Sequence, residues 1–372
     1  MRVLLTTVSL DAERGGGTAE RTMHIARHLK ALDTNCQVVA IEGGRYAEQL
    51  IANSIPVYIT GSVRIRFQIP LLNILRLRQL VQQADVIHVL GYWNVLSAAI
   101  CFLAHHAGKP YALSAAGEFA ALEAPRPDQR VFHALLGKRM VAHASSIIAI
   151  TTLERKQIVR QLGVEPERVT VISNGVEEAP ASAEPDRVFP RGHFILFMGR
   201  LAPIKGPDLL LEAFAALKRQ DPNLRLVFAG SDFGMRAILE KRVHELGLDS
   251  RVLFTGFADE HQRWVGYRRA TLLAVPSRSE AMSLVALEAG AAGTPVLLTD
   301  QCGFNDVQTF GGGRVVTADV EGLRDGLQDM LADGADLVGM GQKLRNFVLA
   351  SYAWPTVAKQ LSEHLSQLRP RR

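Results

Sequence analysis

Short apolar runs separated by longer amphipathic stretches repeat along the whole chain, and this alternation restricts the fold more than any other feature. The runs at Arg2–Val8, Gln37–Ile41, Val57–Ile59, Val86–Leu90, Tyr111–Ser114, Ile147–Ile150 and Val169–Ile172 read as buried strands. Helical segments separate most of them, which predicts βαβ units and a parallel sheet. Asn174-Gly175 is a turn signal, and Glu177–Gly192, rich in Pro, Ala and acidic residues, reads as a linker. A second series follows at His193–Met198, Leu224–Ala229, Arg251–Thr255, Thr271–Val275, Pro295–Thr299 and Arg314–Val316. The 372 residues leave room for two cores. The expected fold is therefore α/β, with two doubly wound Rossmann-like domains at 1–176 and 193–354, a linker at 177–192 and a last helix near Pro355–Leu368.

Within the second series, Pro276–Thr299 carries the densest signal. Ser283 is a good N-cap type and Gly293 a good C-terminal stop, so a helix is expected between them. A helix N-terminus presents unpaired N–H groups and a partial positive charge of roughly half a unit, which suits a phosphate. Glu280 and Glu288 bracket that start. A carboxylate repels phosphate, so the pair should address hydroxyls on either side of an anion, as a nucleotide sugar presents them. Spacing alone gives an ordinary loop acid and a solvated helix residue equal standing with this reading.

The surrounding residues resemble the donor motif of retaining GT-B glycosyltransferases, in particular glycosyltransferase family 4. Ser277, Glu280, Glu288, Ala289, Gly293, Pro295 and Val296 fit its order. Ala281 and Met282 stand where that family usually has glycine and an aromatic residue. Gly199-Arg200-Leu201 followed by Lys205-Gly206 resembles its G-R-L…K-G motif. The resemblance implies a GT-B architecture with an interdomain cleft and a C-terminal helix, 355–372, returning to the first domain. It also implies transfer of a sugar from UDP or GDP to an acceptor, with catalysis by Arg200, Lys205 and Glu280. Fixed cations at the diphosphate would stabilise the charge that develops as the glycosidic bond breaks. Gly199, Gly230, Phe257, Ser283, Leu284, Val285 and Glu288 are the expected substrate contacts there, with Glu288 on ribose and Glu280 on the donor sugar. No D-x-D, H-E-x-x-H or clustered Cys/His ligands occur, so no metal and no cofactor beyond the nucleotide sugar is expected.

The first half matches the family more loosely. The loop Asp11–Gly17 precedes an amphipathic helix from Thr18 with Ile25, Leu29 and Leu32 on one face. By resemblance, Gly16 and Gly17 close over the donor. Three glycines in a row are otherwise a flexible loop. Gly117 matches a loop that in many relatives carries His or Arg one residue earlier, where this chain has Ala116. Glu118 and His88 are candidate substitutes.

Residues 1–175 hold 19 Lys and Arg against 13 Asp and Glu, a balance of +6, and the remainder holds 23 against 24, a balance of −1. The basic half should face something acidic. No basic run with interleaved aromatics points to nucleic acid. A phosphate-bearing acceptor or an anionic membrane surface fits better, and Val63–Val81, with four arginines and no acid, is either a membrane-resting segment or a crossover helix with solvated arginines. The expected acceptor is a glycan or polyprenyl-linked precursor, as in polysaccharide or lipopolysaccharide biosynthesis. Three scattered cysteines argue for a reducing compartment and against a disulfide framework. The cytoplasm, at the inner face of the membrane, is the expected location. Two rivals stay open: a nucleotide-sugar epimerase or hydrolase of the same fold, and a nucleotide-sugar-binding protein without turnover.

Overall fold

The apolar runs pair as parallel strands, because continuous Val, Ile and Leu segments must be covered on both faces and the helices between them supply that cover. In the computed structural model, described for residues 1–12, 14–64, 68–180, 188–217 and 221–371, the chain divides into two units. Unit 1 is Met1–Gly175 with Trp354–Arg372, and unit 2 is Val176–Ala353. Part of the expected linker, residues 181–187, lies outside the described residues.

Unit 1 contains β1 (Arg2–Ser9), β2 (Asn35–Glu42), β3 (Val57–Ile59), β4 (Ser62–Arg64), β5 (Gln68–Pro70), β6 (Val86–Leu90), β7 (Tyr111–Ser114), β8 (Ser146–Ala149) and β9 (Val169–Val171). Its seven-stranded sheet has the order β3-β2-β1-β6-β7-β8-β9, all parallel, so the winding reverses between β1 and β6. One face packs on the helices Ile74–Gln83 and Val95–His106 through Leu77, Leu80, Leu96 and Ile100. The other is covered by Gly16–Ala31 and by Trp354–Gln367, whose Trp354, Val357, Leu361 and Leu365 form one buried stripe. His24 stacks on Trp354 with ring centroids 5.1 Å apart.

Two expectations for unit 1 need correction. Leu32 lies beyond the end of the first helix, as its C-cap, and is 42% exposed. Val63–Val81 is not one helical segment: β4 and β5 pair antiparallel, Ser62 opposite Pro70, and a helix begins only at Ile74. The period-two alternation of apolar and basic residues from Val63 is a strand signal, and Pro70 cannot join a helix interior. Residues 65–67, including Arg66, lie outside the described residues.

Unit 2 contains β10 (Phe194–Met198), β11 (Arg225–Ala229), β12 (Val252–Gly256), β13 (Leu272–Val275), β14 (Val296–Thr299) and β15 (Gly313–Val316). Their order is β12-β11-β10-β13-β14-β15, again all parallel, with the reversal between β10 and β13. Helices Pro207–Ala215, Arg236–Glu245 and Val320–Met330 bury Leu210, Phe214, Leu239, Leu323 and Leu327 on one face. Both chain crossings lie side by side: Val176 bridges to Ala353, and its N–H donates to the Tyr352 carbonyl at 2.8 Å. No helix among the described residues is long and apolar enough to cross a membrane.

Candidate functional site

Where the winding of an open sheet reverses, loops from neighbouring strands leave in opposite directions and a crevice opens at the strands' C-terminal ends. In unit 2 those loops follow β10 and β13, and they carry Arg200 to Lys205 and Ser277 to Ser283 respectively. Lys205 closes a single 3-10 turn, Pro203–Lys205, and its Nζ lies 2.7 Å from Glu280 Oε1. The other Glu280 oxygen accepts from Ser277 Oγ at 3.0 Å, and the Glu280 N–H donates to the Gln301 carbonyl at 2.9 Å. The Lys205 and Glu280 side chains keep 23% and 13% of their surface exposed, so the pair is shielded without being sealed. Two of the three predicted catalytic residues thus meet.

A second contact fixes the same two loops. Arg278 makes a forked pair with Asp208, at 2.9 and 2.6 Å, and donates to the Pro203 carbonyl at 2.6 Å. Its own N–H donates to the Ile204 carbonyl at 2.8 Å. Burial pushes the Asp208 carboxyl up, but the hydrogen bonds and charge of Arg278 outweigh it, and the group lies below its ordinary value. Gly206 is required here: its φ is +66°, and a Cβ would come 2.1 Å from the Pro276 carbonyl oxygen. The turn bearing Lys205 is therefore pressed against the loop bearing Glu280.

The helix Leu284–Ala292 starts and stops where the sequence predicts, with Ser283 as N-cap and Gly293 in the left-handed region after it. Ser283 itself requires a correction as a substrate contact. It is 0% exposed, its hydroxyl accepts from the Ala286 N–H at 3.4 Å, and its N–H is taken by the Cys302 carbonyl. With no exposed surface, the hydroxyl is enclosed in the capping turn rather than presented at the crevice. Leu284 and Val285, the first two helical residues, are partly exposed, and helical geometry gives their N–H groups no partner within the helix. Beneath the loop, burial pushes the Cys302 thiol up to about 11, consistent with a packing role.

Glu288 sits one turn into the same helix. Its Oε2 accepts from the Tyr267 hydroxyl at 2.5 Å, and its Oε1 lies 3.6 Å from the Arg263 guanidinium. Tyr267 and Arg263 were not among the residues expected from the sequence. They lie four apart on the helix Glu260–Arg269 and so share a face, a spacing that was the available signal. Arg200 lies on the exposed side of its loop, its guanidinium 5.1 Å from the centre of the Phe233 ring. Among the described residues it has no ion-pair partner. Gly230 packs directly on the Gly199 carbonyl, joining the ends of β10 and β11, and Phe257 is 61% exposed just after β12.

The remaining predicted contacts belong to unit 1. Gly16 and Gly17 are exposed in the first turn of their helix rather than in the loop before it. Gly117 is left-handed at φ +92°, and its N–H donates to Glu154 at 2.5 Å. His88, a candidate substitute for the missing polar residue, lies inside β6, 0% exposed, with neither ring nitrogen hydrogen-bonded, and burial lowers its pKa to about 3. It is unable to contact a ligand.

Residues 183–347 match the family described as glycosyl transferases group 1, and residues 16–175 match a glycosyl transferase 4-like domain. The D-inositol 3-phosphate glycosyltransferase of Frankia alni is 34% identical over 275 residues, which is 68% of this chain and 62% of that protein. The protein of the same name from Nocardia farcinica is 31% identical over 328 residues, covering 78% of this chain and 68% of the relative. This chain thus spans under two thirds of the Frankia protein's length. The crystal structure of Anabaena HepE in complex with UDP shares the fold, with a TM-score of 0.81 at 20% identity over 99% of this chain and 100% of that one. Matches to both halves, together with two parallel Rossmann-like units, place this chain in the glycosyl transferases group 1 family, with the GT-B fold.

Proposed function

We propose that this protein transfers a sugar from a UDP- or GDP-sugar to a hydroxylated acceptor, with retention at the anomeric carbon and without a divalent metal. The observation that carries the reading is the Lys205–Glu280 contact across the unit 2 crevice, beside the open N–H groups of Leu284 and Val285. As the bond from the anomeric carbon to the phosphate oxygen breaks, electrons pass to the diphosphate. Lys205, Arg200 and the two amides stabilise that charge. The leaving phosphate takes the acceptor's proton, and the acceptor oxygen bonds to the same face of the sugar. Glu280 accepts hydrogen bonds from the donor sugar, while Glu288, oriented by Tyr267 and Arg263, accepts from ribose. The UDP complex of HepE supports a nucleoside diphosphate as ligand. The relatives' name, with the basic balance of residues 1–175, supports a phosphate-bearing acceptor.

The test is mass spectrometry of products from UDP-glucose or GDP-mannose with D-inositol 3-phosphate or a polyprenyl-linked glycan, in excess EDTA. Transfer that survives EDTA is the expected outcome. Loss of transfer restored by Mg²⁺ would defeat the metal-free mechanism, and complete donor conversion without acceptor would identify an epimerase or hydrolase instead.

A membrane-linked acceptor is favoured by one surface of unit 1. Leu71, Ile74 and Leu75 are 56%, 49% and 81% exposed, beside Arg76 and Arg78 on the helix Ile74–Gln83. Exposed apolar side chains flanked by cations suit an anionic lipid surface at the inner face of a membrane. The protein should sediment with anionic vesicles, release at high salt, and lose most binding in the Arg76→Gln/Arg78→Gln variant. Equal, salt-insensitive binding to neutral vesicles would contradict this.

A further inference from the structure

Unit 1 has its own reversal point, between β1 and β6, and one carboxyl group is aimed into it. Glu118 leaves the end of β7 and reaches back over the end of β6. Its Oε2 accepts the N–H groups of Tyr92 at 2.5 Å and Trp93 at 3.3 Å. The Trp93 indole N–H returns a bond to the Glu118 carbonyl at 2.9 Å. The second oxygen, Oε1, accepts no hydrogen bond from the described residues, and Glu118 as a whole is partly exposed. Its position is fixed by its neighbours. A Cβ placed on Gly91 would lie 3.7 Å from Oε1, 3.3 Å from Asn94 Nδ2 and 4.0 Å from Val8 Cγ2. Oε1 therefore lies at the crevice between the ends of β1 and β6, over a residue that has no side chain to fill it.

The loop that carries Glu118 is rigidly held. Ala116 and Gly117 are both left-handed, at φ +47° and +92°. For an alanine that conformation costs roughly 1–2 kcal/mol. Buried Glu154 fixes it by accepting the N–H of Gly117 at 2.5 Å and of Ile150 at 2.6 Å. Strain of this kind persists where the surroundings over-determine it, commonly at ligand sites. Burial pushes the Glu118 carboxyl up, the Tyr92 and Trp93 amides pull it down, and the Glu154 charge adds to the upward side, with a net rise. Beside it Trp93 is half-buried, edge-on to Tyr92 at 4.7 Å and 5.8 Å from Phe132.

We propose that Glu118 and Trp93 form an acceptor subsite at the unit 1 reversal point, where Oε1 accepts a hydroxyl of a sugar- or polyol-like ligand against the aromatic face of Trp93. A carboxylate oxygen beside an aromatic surface matches a molecule with hydroxyls on its rim and C–H groups on its faces. This assigns a polar acceptor contact to the loop where Ala116 supplies none, and it rests on the transfer reading above.

The experiment is calorimetric titration of the full-length protein with UDP and, separately, with D-inositol 3-phosphate, myo-inositol, methyl α-D-glucoside and methyl α-D-mannoside. Glu118→Gln keeps the shape and an oxygen for the Tyr92 and Trp93 amides, but removes the carboxylate from the crevice. The best-bound polyol should lose about ten- to a hundredfold in affinity in Glu118→Gln and somewhat less in Trp93→Phe, with UDP affinity unchanged. Equal polyol affinity in wild type and Glu118→Gln would overturn the proposal, as would wild type that binds UDP and none of the four polyols. Failure of wild type to bind UDP would instead count against the transfer reading. Should Glu118→Gln lose UDP binding too, the residue would be a structural support and the subsite would fall.

Discussion

The two reversal points share a topology and differ in the charge placed at them. In unit 2 the loops after β10 and β13 are tied by ion pairs, Lys205 to Glu280 and Arg278 to Asp208, and flanked by a helix N-terminus. In unit 1 the loops after β6 and β7 are tied by one carboxyl that accepts backbone N–H groups, and Glu154 repeats the device one strand further. The first arrangement sets paired charges of both signs beside a helix N-terminus, and the second sets carboxyl lone pairs against backbone amides. On the reading proposed above, the doubly wound sheet fixes where a ligand sits, and the loop side chains decide whether an anion or a hydroxyl is received there.

The comparison breaks most readily at Lys205. Lys205→Ala and Arg200→Ala should each reduce turnover by about 10²–10³, with a smaller effect on donor affinity, because each removes preorganised charge from the leaving group. The double variant should lose less than the product of the single losses, since both act on one diphosphate. Initial rates of the three variants decide this, and a single variant near wild type would remove that residue from the mechanism.

Next in size are the two glutamates. Glu288→Gln should weaken free UDP about ten- to a hundredfold, because a hydrogen bond to a charged group is worth about 1.5–3 kcal/mol. Glu280→Gln should leave free UDP almost untouched and lower turnover, since its proposed ligand is the sugar. Identical affinities of both variants for UDP would erase that division of roles.

The smallest effect concerns unit 1 stability. A carboxyl with a folded-state pKa above its unfolded value stabilises the fold fully at low pH, and that contribution is lost as pH rises through the raised value. Glu118→Gln does not titrate, so its stability relative to wild type should improve between pH 4 and pH 7. Denaturant melts at both pH values measure this, and a shift the other way would mean the folded protein prefers the ionised carboxyl.

Strand positions were legible because Val, Ile and Leu runs bounded by turns have few alternatives: Val57–Ile59, Val86–Leu90 and Tyr111–Ser114 lie where the sequence places them. The hairpin of β4 and β5 was hidden by the arginines of that segment, which draw attention to charge and away from its period of two. In the site, Lys205 and Glu280 were each legible from motif order, but their direct contact was not, because it depends on two loops 75 residues apart. Ser283 was over-read, since a cap residue and a ligand contact look alike in sequence until burial separates them. Tyr267 and Arg263 were missed because their partner, Glu288, comes from another helix. Glu118 stood out only as a substitute for a missing polar residue, and its anchoring by Tyr92 and Trp93 needed the strand order.

The side-by-side crossings at Val176 and Ala353 bear on synthesis. Unit 2 is one uninterrupted stretch, whereas unit 1 is written in two pieces with all of unit 2 between them. On the ribosome, unit 2 has every residue it needs before Trp354 appears. Until then, one face of the unit 1 sheet lacks the stripe of Trp354, Val357, Leu361 and Leu365. The amino-terminal unit, first to emerge, is therefore the last able to complete its core, and its exposed face is what a chaperone would find on the nascent chain.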